Sequence, residues 1–84
     1  MSLKETFEQA VNGVRDLATR PSNENLLKLY GLYKQSTEGD VSSDRPGGFD
    51  FKAIAKYDSW ASLRGMSKDE AMQAYIDLVD SLSA

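Results

Sequence analysis

The chain has 84 residues, of which 27% are charged and 40% hydrophobic, the balance of one ordinary globular domain. It contains no cysteine and no histidine, which excludes disulfides, zinc–thiolate sites and catalytic triads built on either residue. The formal net charge of −3 disfavours general binding to nucleic acids or to anionic membranes.

The first predicted helix begins at a capping box in which Ser2 is followed three positions later by Glu5. Apolar residues then recur every three or four positions, which is typical of one face of an amphipathic helix. They are Leu3, Phe7, Val11, Val14 and Ala18. Gly13 weakens the middle of this helix, and Pro21 ends the pattern because the residue before a proline disfavours the helical region.

The second predicted helix starts with Ser22 as its N-cap and ends at Gly39, a residue type that commonly terminates helices. Its apolar stripe runs through Leu26, then Leu29 or Tyr30, then Tyr33 and Thr37. Residues 39–49 follow as a loop, since they include three of the chain's six glycines and one of its two prolines.

Two further helices complete the predicted secondary structure. Asp50 is the expected N-cap of the third helix, which closes at Arg64-Gly65. Ser67 and Glu70 form a second capping box, which opens the fourth helix. The buried face of the fourth helix is expected to carry Ala71, Tyr75, Leu78 and Leu82.

We therefore predict an all-α fold, a single domain over residues 1–84 in the form of a four-helix bundle. Short connections near Pro21 and Gly65 predict that helices 1 and 2, and helices 3 and 4, are antiparallel neighbours. The long crossover loop between helices 2 and 3 can span the bundle and lets those two helices run parallel. The predicted order is up-down-down-up.

Basic and aromatic residues coincide on helices 2 and 3. Tyr30, Tyr33 and Lys34 project from neighbouring positions of helix 2, and Lys52 and Lys56 are four residues apart on helix 3. If the two helices are adjacent, their lysines form an anion site beside phenol rings. Such residues are more often a solvated face or part of the core, so the pattern alone leaves both interpretations open.

Several segments match one family in order along the chain. Residues 30–40 read Tyr-Gly-Leu-Tyr-Lys-Gln-Ser-Thr-Glu-Gly-Asp, and residues 45–47 read Arg-Pro-Gly. Residues 55–60 read Ala-Lys-Tyr-Asp-Ser-Trp, and the similarity continues through 63–67 and 71–76. Together these segments closely resemble the signature of acyl-CoA-binding proteins. The resemblance implies the up-down-down-up bundle, a long-chain acyl-CoA ligand and no enzymatic activity.

The resemblance also implies which residues hold the polar part of the ligand. Tyr30, Lys34 and Lys56 match residues that hold the 3′-phosphate and adenosine end of CoA. Lys52 matches a basic residue at the head-group site, and Arg15 falls where the family carries a lysine or arginine near the phosphates. No metal and no cofactor are implied.

Four more residues are implied for the remainder of the ligand. Tyr33 and Tyr75 match aromatic residues that line the nucleotide and pantetheine region, and Leu26 and Leu27 match apolar residues beside the acyl chain. The sequence departs from the family at Tyr57, where many members have tryptophan. It also departs at 48–49, where Gly-Phe replaces an apolar pair and is expected to loosen the loop.

The resulting expectation is a cytoplasmic monomer that binds medium- to long-chain acyl-CoA one to one, as a carrier and pool former. We expect no nucleic-acid partner, no stable membrane insertion, and transient contacts with enzymes that use acyl-CoA. The alternative is a small helical adaptor that docks a partner protein through the same amphipathic stripes without a ligand. Partner binding that is insensitive to acyl-CoA would favour this alternative.

Overall fold

The computed structural model describes residues 1–83; Ala84 lies outside the described residues. Within that range the chain forms four α-helices and one short 3₁₀ turn, so the predicted all-α four-helix bundle with a long loop between helices 2 and 3 is confirmed. The elements are α1 (Leu3–Gly13), the 3₁₀ turn (Val14–Asp16), α2 (Asn23–Glu38), α3 (Phe51–Ala61) and α4 (Lys68–Ser83). None of these helices is long and apolar enough to cross a membrane.

The helix starts follow from local capping. The Ser2 hydroxyl accepts a hydrogen bond from the backbone N–H of Glu5 at 3.1 Å, and the Glu5 carboxylate accepts one from the Ser2 N–H at 3.1 Å. The same reciprocal pair forms before α4, with Glu70 as the carboxylate, at 3.0 and 3.1 Å. All four predicted caps are present, and they are Ser2, Ser22, Asp50 and Ser67.

Two predicted helix ends are wrong. The first helix ends at Gly13 and tightens into the 3₁₀ turn, after which Leu17 is extended with ψ of 134°. Ala18 is consequently exposed and is not on the buried face. Glycine is a poor helix former, and in this sequence its cost outweighs the apolar periodicity that continues beyond it. The third helix ends at Ala61, and a turn leads to Gly65 at a φ of 95°.

The relative directions of α2 and α3 follow from side-chain contacts. The ammonium of Lys56 lies 5.3 Å from the centroid of the Tyr30 ring. Four residues further along each helix, the ammonium of Lys34 lies 4.9 Å from the Trp60 ring. Because successive contacts advance together along both helices, α2 and α3 run parallel, as the predicted order requires.

Helix α4 runs antiparallel to α2. The side-chain amide of Gln35, near the end of α2, donates to the backbone carbonyl of Met66 just before α4, at 2.7 Å. The closest helix pairs are α2 with α4, α2 with α3 and α1 with α4. The predicted close pairing of helices joined by the shorter connections is wrong. The reason is that residues 14–22 contain the 3₁₀ turn and residues 62–67 a wide turn, so neither connection is a tight hairpin.

The core lies between α1, α2 and α4. Its buried apolar members are Phe7, Leu29, Leu32, Ala71, Tyr75, Ile76 and Val79. Helix α3 has no fully buried residue, and α2 is its one close helix partner in the described part of the chain. It therefore forms one wall of an open surface feature along α2.

Candidate ligand-binding groove

A groove of about 490 Å³ lies between the N-terminal halves of α2 and α3; we refer to it as the α2–α3 groove. Its lining residues are Arg20, Asn23, Leu26, Leu27, Tyr30, Lys52, Ala55 and Lys56. Five of the nine site residues predicted from the sequence are therefore brought together by the parallel packing of these two helices.

The α2–α3 groove combines an apolar part with a cationic part. Leu26, Leu27 and Ala55 are half-buried, and they supply aliphatic surface on both helices. Arg20 and Lys52 are exposed, and none of the described residues that line the groove is acidic. An extended apolar group that ends in negative charge matches this arrangement, because its two parts meet the two kinds of surface.

Lys34 lies beyond the groove, on the same side of α2 as α3. Its ammonium lies over the Trp60 ring and donates to the carboxylate of Glu38, one turn further along α2. The hydrogen bond that Lys34 donates to Glu38 is the main cause that raises the pKa of Lys34 above its ordinary value. Lys34 is therefore a firmly charged cation that already has an anionic partner.

The two predicted tyrosines outside the groove lie in an aromatic cluster with Phe7. The Phe7 ring is 6.1 Å from that of Tyr33 and 5.2 Å from that of Tyr75, the latter edge-on. Tyr75 is only 5% exposed, and burial raises the pKa of its hydroxyl, with a smaller contribution from Tyr33. Tyr33 is 41% exposed. The structure therefore places Tyr75 in the core and the Tyr33 ring at the surface.

Tyr33 lines a second cleft of about 600 Å³, between α1 and the facing ends of α2 and α4. Its other lining residues include Phe7, Thr37 and Met72. One face of α2 borders both this cleft and the α2–α3 groove, because residues spaced three and four apart lie on the same side of a helix. That face runs through Leu26, Tyr30, Tyr33 and Thr37.

Arg15, the last of the predicted site residues, lies on the connection between α1 and α2. It belongs to the 3₁₀ turn, is exposed, and lines neither the α2–α3 groove nor the second cleft. Its position depends on where α1 ends, which the apolar periodicity did not predict correctly.

Three groove residues were missed by the sequence analysis. Arg20 donates hydrogen bonds to the carbonyl of Pro21 and to the side-chain oxygen of Asn23, both at 3.4 Å, at the mouth of the groove near the start of α2. Ala55 completes the α3 side. Helical spacing could have found two of them, since Asn23 is three residues before Leu26 and Ala55 is three after Lys52. No local pattern marks Arg20.

Comparison with known protein families gives a match over nearly the whole chain. A family profile described as "Acyl CoA binding protein" matches residues 4–79. The acyl-CoA-binding protein of Brassica napus is 52% identical over 82 residues, which covers 98% of this chain and 89% of the relative. An acyl-CoA-binding protein homolog of Manduca sexta is 48% identical over 85 residues, covering 100% of this chain and 94% of the relative.

The fold comparison agrees with the sequence comparison. The crystal structure of Oryza sativa acyl-CoA-binding protein 2 superposes with a TM-score of 0.91 at 46% sequence identity. The aligned part covers 96% of this chain and 90% of that one. At this identity the similarity extends beyond the fold to the sequence that forms it.

Proposed function

This chain belongs to the acyl-CoA-binding protein family, and from that premise we propose that it binds medium- to long-chain fatty acyl-CoA one to one. The family is one of binding proteins, not enzymes. The observation that carries the proposal for this chain is the α2–α3 groove, which sets half-buried leucines beside three cations and no lining carboxylate. We assign the ligand's two chemically different ends to these two surfaces.

The acyl chain lies along Leu26, Leu27 and Ala55 in this proposal. Sheltering a dozen methylene groups contributes about 10 kcal/mol gross, at roughly 0.8 kcal/mol each. Ordering the ligand and the side chains opposes binding by several kcal/mol. The acyl chain is therefore the main source of affinity, and longer chains bind more tightly.

The phosphates and adenosine of CoA interact with the basic and aromatic residues of α2 and α3. Lys34 and Lys56 supply charge to phosphate oxygens and Tyr30 supplies a hydroxyl, with charge-assisted bonds worth about 1.5–3 kcal/mol each. Lys52 adds a further cation at the groove. Arg15 adds charge nearer the nucleotide, from the 3₁₀ turn. These contacts select CoA thioesters over free fatty acids.

We assign the nucleotide and pantetheine region to the aromatic cluster. Tyr33 offers an exposed ring on which a base can stack. Tyr75 is buried and touches Phe7 edge-on, while Phe7 stacks against Tyr33. Tyr75 thus supports the ring at the surface from the core.

Replacing the lysines tests this division between the two ends of the ligand. Lys34→Ala and Lys56→Ala should weaken the binding of palmitoyl-CoA and of free CoA by similar free energies. The reason is that the only ligand contacts that each variant loses are those to phosphate. Isothermal titration calorimetry measures both ligands for each variant. Lys28→Ala is the matched control, since Lys28 is an exposed α2 lysine that does not line the groove. A changed preference for acyl-chain length in either variant contradicts the assignment.

In the cell, this binding makes the protein a carrier and pool former for acyl-CoA. We propose that residues 1–84 act as one acyl-CoA-binding domain, as a cytoplasmic monomer in transient contact with enzymes that use acyl-CoA. The supporting observations are the match over residues 4–79 and the absence of a membrane-spanning helix within residues 1–83. A bound thioester is sheltered from water along its acyl chain, which lets a sparingly soluble amphiphile move through solution.

A further inference from the structure

Helix α2 carries two lysine–glutamate pairs at a spacing of four residues. Lys28 and Glu24 are 3.6 Å apart, and their side chains are 57% and 80% exposed. Lys34 and Glu38 are in direct contact, and the Lys34 side chain is only 25% exposed because it lies over Trp60. Only the second pair includes a residue of the proposed phosphate site.

An anion that binds Lys34 competes with Glu38 for the same ammonium. The ammonium donates to the Glu38 carboxylate and lies 4.9 Å from the centroid of the Trp60 ring. A phosphate that approaches Lys34 meets the negative charge of Glu38 within one helical turn. Trp60 can hold the lysine in place when its carboxylate partner is exchanged, so the site stays formed.

We infer that Glu38 limits the affinity of this protein for CoA by occupying Lys34 in the free protein. The inference rests on the proposed function, because it needs a phosphate to bind at Lys34. Glu38 acts through Lys34 and sets the strength of the phosphate contact without touching the acyl chain. Its carboxylate must leave the ammonium, or share it, each time a ligand binds.

Glu38→Gln tests the inference, because it removes the charge and puts a neutral amide of nearly the same size in place of the carboxylate. Free CoA and palmitoyl-CoA should each bind about two- to tenfold more tightly, the range set by an exposed helical ion pair plus like-charge repulsion. Titration calorimetry at constant ionic strength measures both. The matched control is Glu24→Gln, which breaks the equivalent pair with Lys28 and should leave both affinities unchanged.

The same substitution made in a variant that lacks Lys34 distinguishes an effect of Glu38 through Lys34 from its general repulsion of the anionic ligand. In Lys34→Met protein, the added Glu38→Gln change should give a clearly smaller gain in CoA affinity, because only like-charge repulsion is relieved and there is no ammonium left to release. A gain of the same size in that background overturns the inference, as does an equal gain in Glu24→Gln. If the Glu38→Gln variant binds CoA only as tightly as the unsubstituted protein does, the inference is wrong and the proposed function still stands. If neither protein binds CoA or palmitoyl-CoA, the proposed function fails with it.

Discussion

Gly31 sets how closely α3 approaches α2. A Cβ atom at this position would lie 2.8 Å from the backbone oxygen of Ser59 and 2.9 Å from its carbonyl carbon. The Ser59 hydroxyl donates to the Leu27 carbonyl at 2.6 Å and fixes the same contact from the other side. Because two of the three nearest atoms are backbone, an added methyl group can be accommodated only by moving α3 away from α2.

Gly31→Ala is therefore expected to lower the free energy of unfolding by about 1–3 kcal/mol, the usual cost of overpacking. Urea unfolding monitored by circular dichroism measures it. Gly13→Ala is the matched control, since Gly13 ends α1 at a φ of −70° with no atom within 4 Å of an added Cβ. It should be neutral or stabilising by up to about 1 kcal/mol. Equal stability of Gly31→Ala and the original protein would contradict a rigid approach of the two helices.

At the scale of elements, the crossover loop is attached to the helices along its length. The guanidinium of Arg45 donates two hydrogen bonds to the carboxylate of Asp58 on α3, at 2.9 and 3.0 Å. The hydroxyl of Tyr57 on α3 donates to the carbonyl of Ser43 at 2.9 Å. These bonds tie the loop to the same helix that forms one wall of the α2–α3 groove.

Asp40 joins the start of the loop to two other elements. Its carboxylate accepts a hydrogen bond from the Gly65 backbone N–H at 2.9 Å and one from the side-chain amide of Gln35 at 2.8 Å. The bond from Gly65, followed by that from Gln35, lowers the pKa of Asp40 below its ordinary value. A lowered pKa in the folded state means that ionised Asp40 stabilises the fold. That contribution is present above the unfolded-state pKa and is lost as pH falls through the folded-state pKa.

In Asp40→Asn the free energy of unfolding should therefore fall less steeply as pH is lowered below about pH 5, the range in which paired carboxylates are protonated. The free energy of unfolding, measured at intervals of pH, gives the slope for each protein. Asp58 also has a lowered pKa, because of Arg45, so a smaller slope remains in the variant. Asp44→Asn, at an exposed loop residue, removes the same formal charge and is the control for the change in net charge. Identical slopes for Asp40→Asn and the original protein would contradict the account.

Local features of the elements and the relative directions of the helices could be predicted from the sequence, but which helices pack closest could not. Capping at Ser2, Ser22, Asp50 and Ser67 depends on neighbours within three residues, so residue order alone is enough. The end of α1 at Gly13 depends on a balance between propensity and tertiary packing. The pairing of α1 with α4 depends on which faces meet, and loop length did not determine it.

The whole molecule is a slab with extents of 40 × 28 × 15 Å. Helix α2 packs against both α3 and α4, and α3 has no other close helix partner among the described residues. The α2–α3 groove is therefore open on one side, and its cations act locally in a chain whose net charge is −3. Repulsion at long range and attraction at contact favour a small anionic ligand over an extended polyanion.

The candidate site was predictable to the extent that helical spacing determines it. The spacing between Lys52 and Lys56 indicates a shared face, and parallel packing brings that face to Tyr30. Helical spacing also predicted the burial of Tyr75 on α4, whereas the position of Arg15 on the 3₁₀ turn follows from where α1 ends. No spacing along the sequence predicts that helix end.

The central claim is that one protein surface binds both ends of an acyl-CoA. Isothermal titration calorimetry with palmitoyl-CoA, free CoA and palmitate, under one buffer condition, tests it most directly. We expect tight one-to-one binding of palmitoyl-CoA, much weaker binding of CoA and the weakest binding of palmitate. Palmitate that binds as tightly as its CoA thioester, or no heat with any of the three, would contradict it.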